Sequence, residues 1–157
     1  AMLFMSVISG RNPHYLIGEQ VLAAPIVKDL DIETIPVGYV LIDGGAGSTV
    51  EFISGTRPLP MHRKDIIVAH ALAGQYLGMK FIYLEAGSGA KNYIPSDIVE
   101  LVSNFVSIPI IVGGGISSPK IAAKLVKAGA SIIVTGTAIE KNHSCMSEFA
   151  SAIHWKG

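Results

Sequence analysis

The chain has 157 residues, half of them apolar, and its 12 basic and 12 acidic side chains leave no net charge. That length suits one domain with a sizeable core, and the charge balance excludes the basic stripe that binding to a nucleic-acid backbone requires. A mean hydropathy of +0.49 raises the question of a membrane, yet no apolar run approaches the roughly 20 residues of a spanning helix.

Residues 2–8 form an apolar strand, closed by a polar turn at Ser9-Gly10-Arg11-Asn12. Asn12 then caps a helix with Pro13 in its first turn. Val21, Leu22, Ile26 and Val27 recur at helical period and supply its apolar face. Residues 33–42 are β-rich and run into Asp43-Gly44-Gly45-Ala46-Gly47, a tight reversal. Residues 49–53 are expected to return as a short strand, which makes an inserted hairpin. A helix follows over residues 63–77, and Gly78 stops it. From there the rhythm is regular: strand 80–84, helix 95–106, strand 109–112, helix 119–128, strand 130–134 and a last helix over 145–154. Strands alternating with helical stretches imply right-handed βαβ units and a parallel sheet. The expected fold class is α/β with about five parallel strands, either a small doubly wound sheet or part of a TIM-type (β/α) barrel. No linker or composition shift marks a domain boundary.

The single Cys145 excludes an internal disulfide framework, so an intracellular, soluble protein is expected. The first residues are apolar but lack a basic leader and a cleavage site, and they read as a strand entered midway.

Three segments share one design, an apolar strand running into small residues. They are Tyr83-Leu84-Glu85-Ala86-Gly87-Ser88-Gly89, Val112-Gly113-Gly114-Gly115 and Val134-Thr135-Gly136-Thr137. In a parallel sheet such segments gather at the C-terminal ends of neighbouring strands, where ligands bind. Glycine lets an anion approach the main chain and take hydrogen bonds from N–H groups, and the helix starts after Ser118 and Thr137 add favourable dipole ends. Glu85 follows an apolar run at a strand mouth, a setting that tunes a carboxylate for acid–base work. Alternation puts Tyr83 on the same side as Glu85. The histidines are scattered without metal-ligand spacing, and Asp43 before glycine is either a cation ligand or a common turn residue.

These runs resemble the signature of the geranylgeranylglyceryl-phosphate synthase family, which has the PcrB-type heptaprenylglyceryl-phosphate synthases among its relatives. Arg11-Asn12-Pro13, Glu33-Thr34-Ile35-Pro36 and Gln75-Tyr76-Leu77-Gly78 agree with it, so the likeness covers nearly the whole chain. The resemblance implies a TIM-type barrel that condenses sn-glycerol 1-phosphate with geranylgeranyl diphosphate and releases pyrophosphate, an early committed step of ether-lipid synthesis in archaea. Carried over residue by residue, Tyr83, Leu84, Glu85, Ala86, Gly87, Ser88 and Gly89 surround the glycerol phosphate. Gly114, Gly115, Gly136 and Thr137 hold its phosphate, and Glu85 orients or deprotonates the attacking hydroxyl. Mg2+ is the implied cofactor and neutralises the leaving group. Its ligands are expected in an Asp-bearing first strand and a hydroxyl-bearing second strand of the family pattern, with no metal ligand in this chain. The family pattern begins with about three further strands, so Ala1 reads as mid-chain and the chain as the C-terminal units of one barrel domain. Side chains near Met5, Ile8, Tyr15 and Tyr39 are expected to line the prenyl groove. A cytoplasmic homo-oligomer touching the membrane only through its lipid product is also implied, with no nucleic-acid partner. Two other readings stand beside it: another phosphate-site barrel isomerase or synthase, and an inactive truncated barrel that keeps only the phosphate cup.

Overall fold

The computed structural model describes residues 1–154. Five strands, β1 (Met2–Val7), β2 (Thr34–Leu41), β3 (Phe81–Glu85), β4 (Ile110–Gly113) and β5 (Ile132–Val134), pair in parallel in the order of the sequence. A doubly wound sheet reverses its strand order at a switch point, and this sheet does not. Every crossover therefore steps the same way, the topology of a (β/α)-barrel wall with its helices on one face. The helices are α1 (Glu19–Asp29), α2 (Thr49–Ser54), α3 (Lys64–Tyr76), α4 (Ser96–Phe105), α5 (Pro119–Lys127), α6 (Thr137–Lys141) and α7 (Met146–Ile153).

Alternation divides the strand residues between two faces. Val40, Ile42, Ile82, Leu84, Ile110 and Val112 face the helices and pack with Ile67 and Ala71 of α3, Ile98 and Val102 of α4, and Leu125 of α5. Burying each such aliphatic side chain stabilises the fold by about 1.5–3 kcal/mol. The other face carries a second cluster of Val37, Tyr39, Leu41, Tyr83 and Ile111. Parallel register lays these residues out in rows, Tyr39 beside Tyr83 beside Ile111, and Leu41 beside Glu85 beside Gly113. Tyr83 and Glu85 thus share the inner face, as alternation predicts. On the edge strands the same face stays open, with Leu3, Met5, Ile132 and Val134 each about two-fifths exposed (39%, 42%, 41% and 39%).

Four expectations are corrected. Residues 49–53 are helical, so there is no return strand and no hairpin there. Ser48 accepts a hydrogen bond from the Glu51 amide at 3.1 Å, and the Glu51 carboxylate accepts one from the Ser48 amide at 3.4 Å. That reciprocal cap, with Gly55 left-handed at the other end (φ 63°), outweighs the strand preference of Thr49, Val50 and Ile53. The apolar residues of α1 keep helical spacing but are not covered: Val21, Leu22 and Ile26 are 61%, 66% and 62% exposed. Ile8 faces the helices and belongs to the main core, so it lines no groove on the inner face. Asn12 is not the cap of α1 either: a π-helical turn, His14–Gly18, precedes that helix with Pro13 at its cap position, and Asn12 closes only a local turn, its Oδ1 accepting from the His14 amide at 3.1 Å.

Candidate functional site

The C-terminal ends of β3, β4 and β5 lie side by side and deliver their loops to one rim. The loops enclose a cavity of about 270 Å³, lined by Tyr83, Glu85, Gly87, Ser88, Gly89, Gly114, Gly115, Gly136 and Thr137. Nine of the eleven residues singled out in the sequence therefore meet at one cup. Leu84 and Ala86 do not put side chains into it. Both belong to the core on the helix side, and the Ala86 amide donates to the Gly113 carbonyl at 3.1 Å. The residue-by-residue carry-over from the family pattern takes in both, but strand alternation turns their side chains away from the cup.

Among the described residues, no turn or loop hydrogen bond uses the amides of Gly114, Gly115, Gly136 or Thr137. Gly114 and Gly115 have φ of 83° and 68°, the left-handed region that favours glycine. Free main-chain donors at a glycine-walled rim match what an anionic oxygen requires. The Thr135 hydroxyl donates to the Ile116 carbonyl at 3.0 Å and ties the β4 and β5 loops together. Ser117 and Pro119 at the start of α5, together with Lys141, line a neighbouring hollow that shares Gly89, Gly115, Ile116 and Thr137 with this cup.

Glu85 is 6% exposed at the floor of the cup. Its Oε1 accepts from the Gly87 amide at 2.8 Å. The Tyr83 hydroxyl lies against the same carboxylate, and both contacts favour the charged form. Burial outweighs them and holds the Glu85 carboxyl above the usual carboxylate range. The phenols of Tyr39 and Tyr83 are pushed up as well, chiefly by burial and next by the Glu85 charge. Gly113 and Gly114 make room for this group. A Cβ at Gly113 would run into Glu85 Oε2 and the Tyr83 hydroxyl, and one at Gly114 would sit 2.6 Å from Glu85 Oε1.

The cavity also includes residues for which the sequence offered no site argument, Ser48, Thr49 and Val50 from the start of α2, while Ile116, Val134 and Thr135 line it from the β4 and β5 strand-end segments. Tyr39, expected near a prenyl groove, lines the cup, its ring 5.2 Å from that of Tyr83. Asp43 is a turn residue, its Oδ1 accepting from the Gly45 amide at 2.9 Å. Among the described residues no three His, Cys, Asp or Glu side chains come together as metal ligands, so these residues alone do not make a cage for Mg2+.

The chain resembles geranylgeranylglyceryl phosphate synthase of Chitinophaga pinensis, with 53% identity over 154 residues covering 98% of this chain and 61% of that protein. The corresponding protein of Pyrococcus horikoshii is 49% identical over 144 residues, covering 92% and 56%. The chain thus spans about three-fifths of the length of these curated relatives. Among solved structures, wild-type GGGPS from Thermoplasma volcanium superposes with a TM-score of 0.89 at 35% identity, covering 98% of this chain and 62% of that one. (S)-3-O-geranylgeranylglyceryl phosphate synthase from Thermoplasma acidophilum, in complex with its substrate sn-glycerol-1-phosphate, gives a TM-score of 0.86 at 35% identity over 98% and 60% of the two chains. With residues 1–153 matched by the family model described as PcrB, and the strand-end motifs gathered as its signature implies, the chain belongs to the PcrB family.

Proposed function

We propose that these residues form the glycerol-phosphate half of a prenyltransferase active site. The enzyme joins sn-glycerol 1-phosphate to geranylgeranyl diphosphate and releases pyrophosphate, with this chain as the C-terminal units of one barrel domain. The observation that carries the reading is the pairing of free main-chain donors at Gly114, Gly115, Gly136 and Thr137 with a buried carboxylate one strand away. A phosphate seated on the β4 and β5 loops directs the glycerol hydroxyls towards Glu85 on β3. The names of the relatives, and the substrate held by the Thermoplasma acidophilum enzyme, support the same assignment.

Prenyl transfer forms a bond between the glycerol oxygen and the prenyl C1, and it breaks the C1–oxygen bond to diphosphate. The hydroxyl proton leaves to Glu85. A carboxylate whose affinity for protons is raised by burial is a better base than one in water. Tyr83 steadies the carboxylate. Mg2+, when bound, neutralises the diphosphate leaving group. Since the described residues form no metal cage, no step of this chain's chemistry is assigned through the ion. Among the described residues no helix is long and apolar enough to cross a membrane. The proposal includes cytoplasmic action, homo-oligomeric assembly and contact with a membrane surface through the lipid product.

The test is incubation with labelled sn-glycerol 1-phosphate, geranylgeranyl diphosphate and Mg2+, followed by solvent extraction. Lipid-soluble label that depends on Glu85 supports the reading. Tight binding of a sugar or heterocycle phosphate, with no transfer, would move the assignment to another phosphate-site reaction.

A further inference from the structure

Tyr39 stands apart from the other inner-face residues of β2. Val37 and Leu41 are aliphatic and fully buried, and nothing polar is asked of their surroundings. Tyr39 is 8% exposed, and it carries a hydroxyl into the same layer. Its ring meets the Tyr83 ring edge-on at 64°. The Tyr83 hydroxyl is turned to Glu85. The Tyr39 hydroxyl, in contrast, makes no hydrogen bond among the described residues, and the ring lines the cavity. No protein group among the described residues completes this hydroxyl, and phenylalanine would fill the same place and keep the ring contact with Tyr83. A hydroxyl kept there and left bare towards a cavity is one that a ligand completes.

Position identifies the part of the ligand. The free amides belong to the β4 and β5 loops, Glu85 to β3, and Tyr39 to β2, on the far side of Glu85 from those amides. Adjacent strands stand about 4.8 Å apart. Two to three strand spacings separate β2 from the loops that carry the phosphate donors, which puts Tyr39 nearer the end of the ligand on the β2 side of Glu85.

We propose that Tyr39 is a substrate-binding, specificity-determining residue: its hydroxyl donates a hydrogen bond to a glycerol hydroxyl oxygen, leaving that hydroxyl's own proton directed at Glu85. The proposal rests on the glycerol-phosphate reading of the cup and names the residue that distinguishes a glycerol phosphate from a bare phosphate. Tyr83 and Glu85 hold each other, so neither is free to take this part, and no Lys, Arg or His lines the cavity to replace it.

Calorimetric titration of the wild-type chain and Tyr39→Phe, each with sn-glycerol 1-phosphate and separately with inorganic phosphate, tests it. Phenylalanine keeps the edge contact with Tyr83, and the phosphate titration reports whether the cup remains folded. The expected result is about a tenfold loss of glycerol 1-phosphate affinity, the scale of one hydrogen bond to a buried partner, with phosphate affinity unchanged. Unchanged affinity for both ligands overturns the proposal. An equal loss for both also overturns it, since Tyr39 would then act only through the fold. If the wild type binds phosphate but does not prefer glycerol 1-phosphate, the underlying reading of the cup fails, and that outcome is seen before the variant is considered.

Discussion

Replacing Gly114 by alanine tests whether the cup is built around a missing side chain. The residue has φ of 83°, and an L residue forced into that region loses about 1–2 kcal/mol. The added Cβ would also stand 2.6 Å from Glu85 Oε1, 2.7 Å from the Gly87 amide nitrogen and 2.8 Å from the Ala86 amide nitrogen. Ordinary heavy-atom contact begins near 3.5 Å. Two of the three neighbours are main chain and cannot rotate away, so overpacking adds about 1–3 kcal/mol. The sum, about 2–5 kcal/mol, is large beside a typical stability of about 5–15 kcal/mol. Gly47→Ala is the control. Its φ is 64°, and a Cβ there meets nothing within 4 Å, so only the backbone cost applies. Urea unfolding of both variants, compared at equal m, isolates the crowding contribution. Gly114→Ala is predicted to lose about 1–3 kcal/mol more than the control. Equal losses would refute the claim that Glu85 and the β3 loop press against this position.

Burial raises the folded-state pKa of Glu85, so the folded protein binds this proton more tightly than the unfolded chain does. Stability attributable to the group therefore falls as pH rises from about 4.3, the unfolded value, through the raised folded value. Glu85→Gln should remove that slope and unfold later than wild type at neutral pH; thermal scans from pH 4 to 8 that show parallel curves would contradict it. Ser48→Ala removes the cap of α2 and should cost about 1 kcal/mol, read as faster hydrogen exchange at the Glu51 and Phe52 amides with the sheet amides unaffected. Leu84→Ala should destabilise by about 2–5 kcal/mol yet leave ligand affinity intact at a temperature where the variant is folded, because its side chain belongs to the helix side. A selective loss of affinity would put Leu84 on the wrong face.

The strands and the longer helices were legible because their signals are local. Apolar runs bounded by glycine and proline marked β2 to β5, and Gly78, which ends α3 with φ of 87°, needed no tertiary knowledge. The α2 segment was misread although its Ser48-Thr49-Val50-Glu51 capping box stood in the sequence. The preceding glycine run and the β-branched Thr49, Val50 and Ile53 pointed to a hairpin, and two hydrogen bonds at the cap decided otherwise. The cup was legible as three small-residue segments after strands, since parallel topology brings strand ends together whatever the register. What escaped was what register alone reveals. Tyr39 stands beside Tyr83, and Gly113 beside Glu85, only once the strands are paired. The exposure of Val21, Leu22 and Ile26 was equally out of reach, because periodicity reports which residues share a face and not what covers it.

The most direct test of the central claim is an amide NMR titration of the isotopically labelled chain with sn-glycerol 1-phosphate. If the strand-end glycines receive the phosphate, the largest shifts fall on Gly114, Gly115, Gly136 and Thr137, with smaller ones at Gly87 beside Glu85. Shifts concentrated elsewhere, such as the outer groove lined by Lys91, Asn92 and Lys124, with those amides unmoved, would contradict the account.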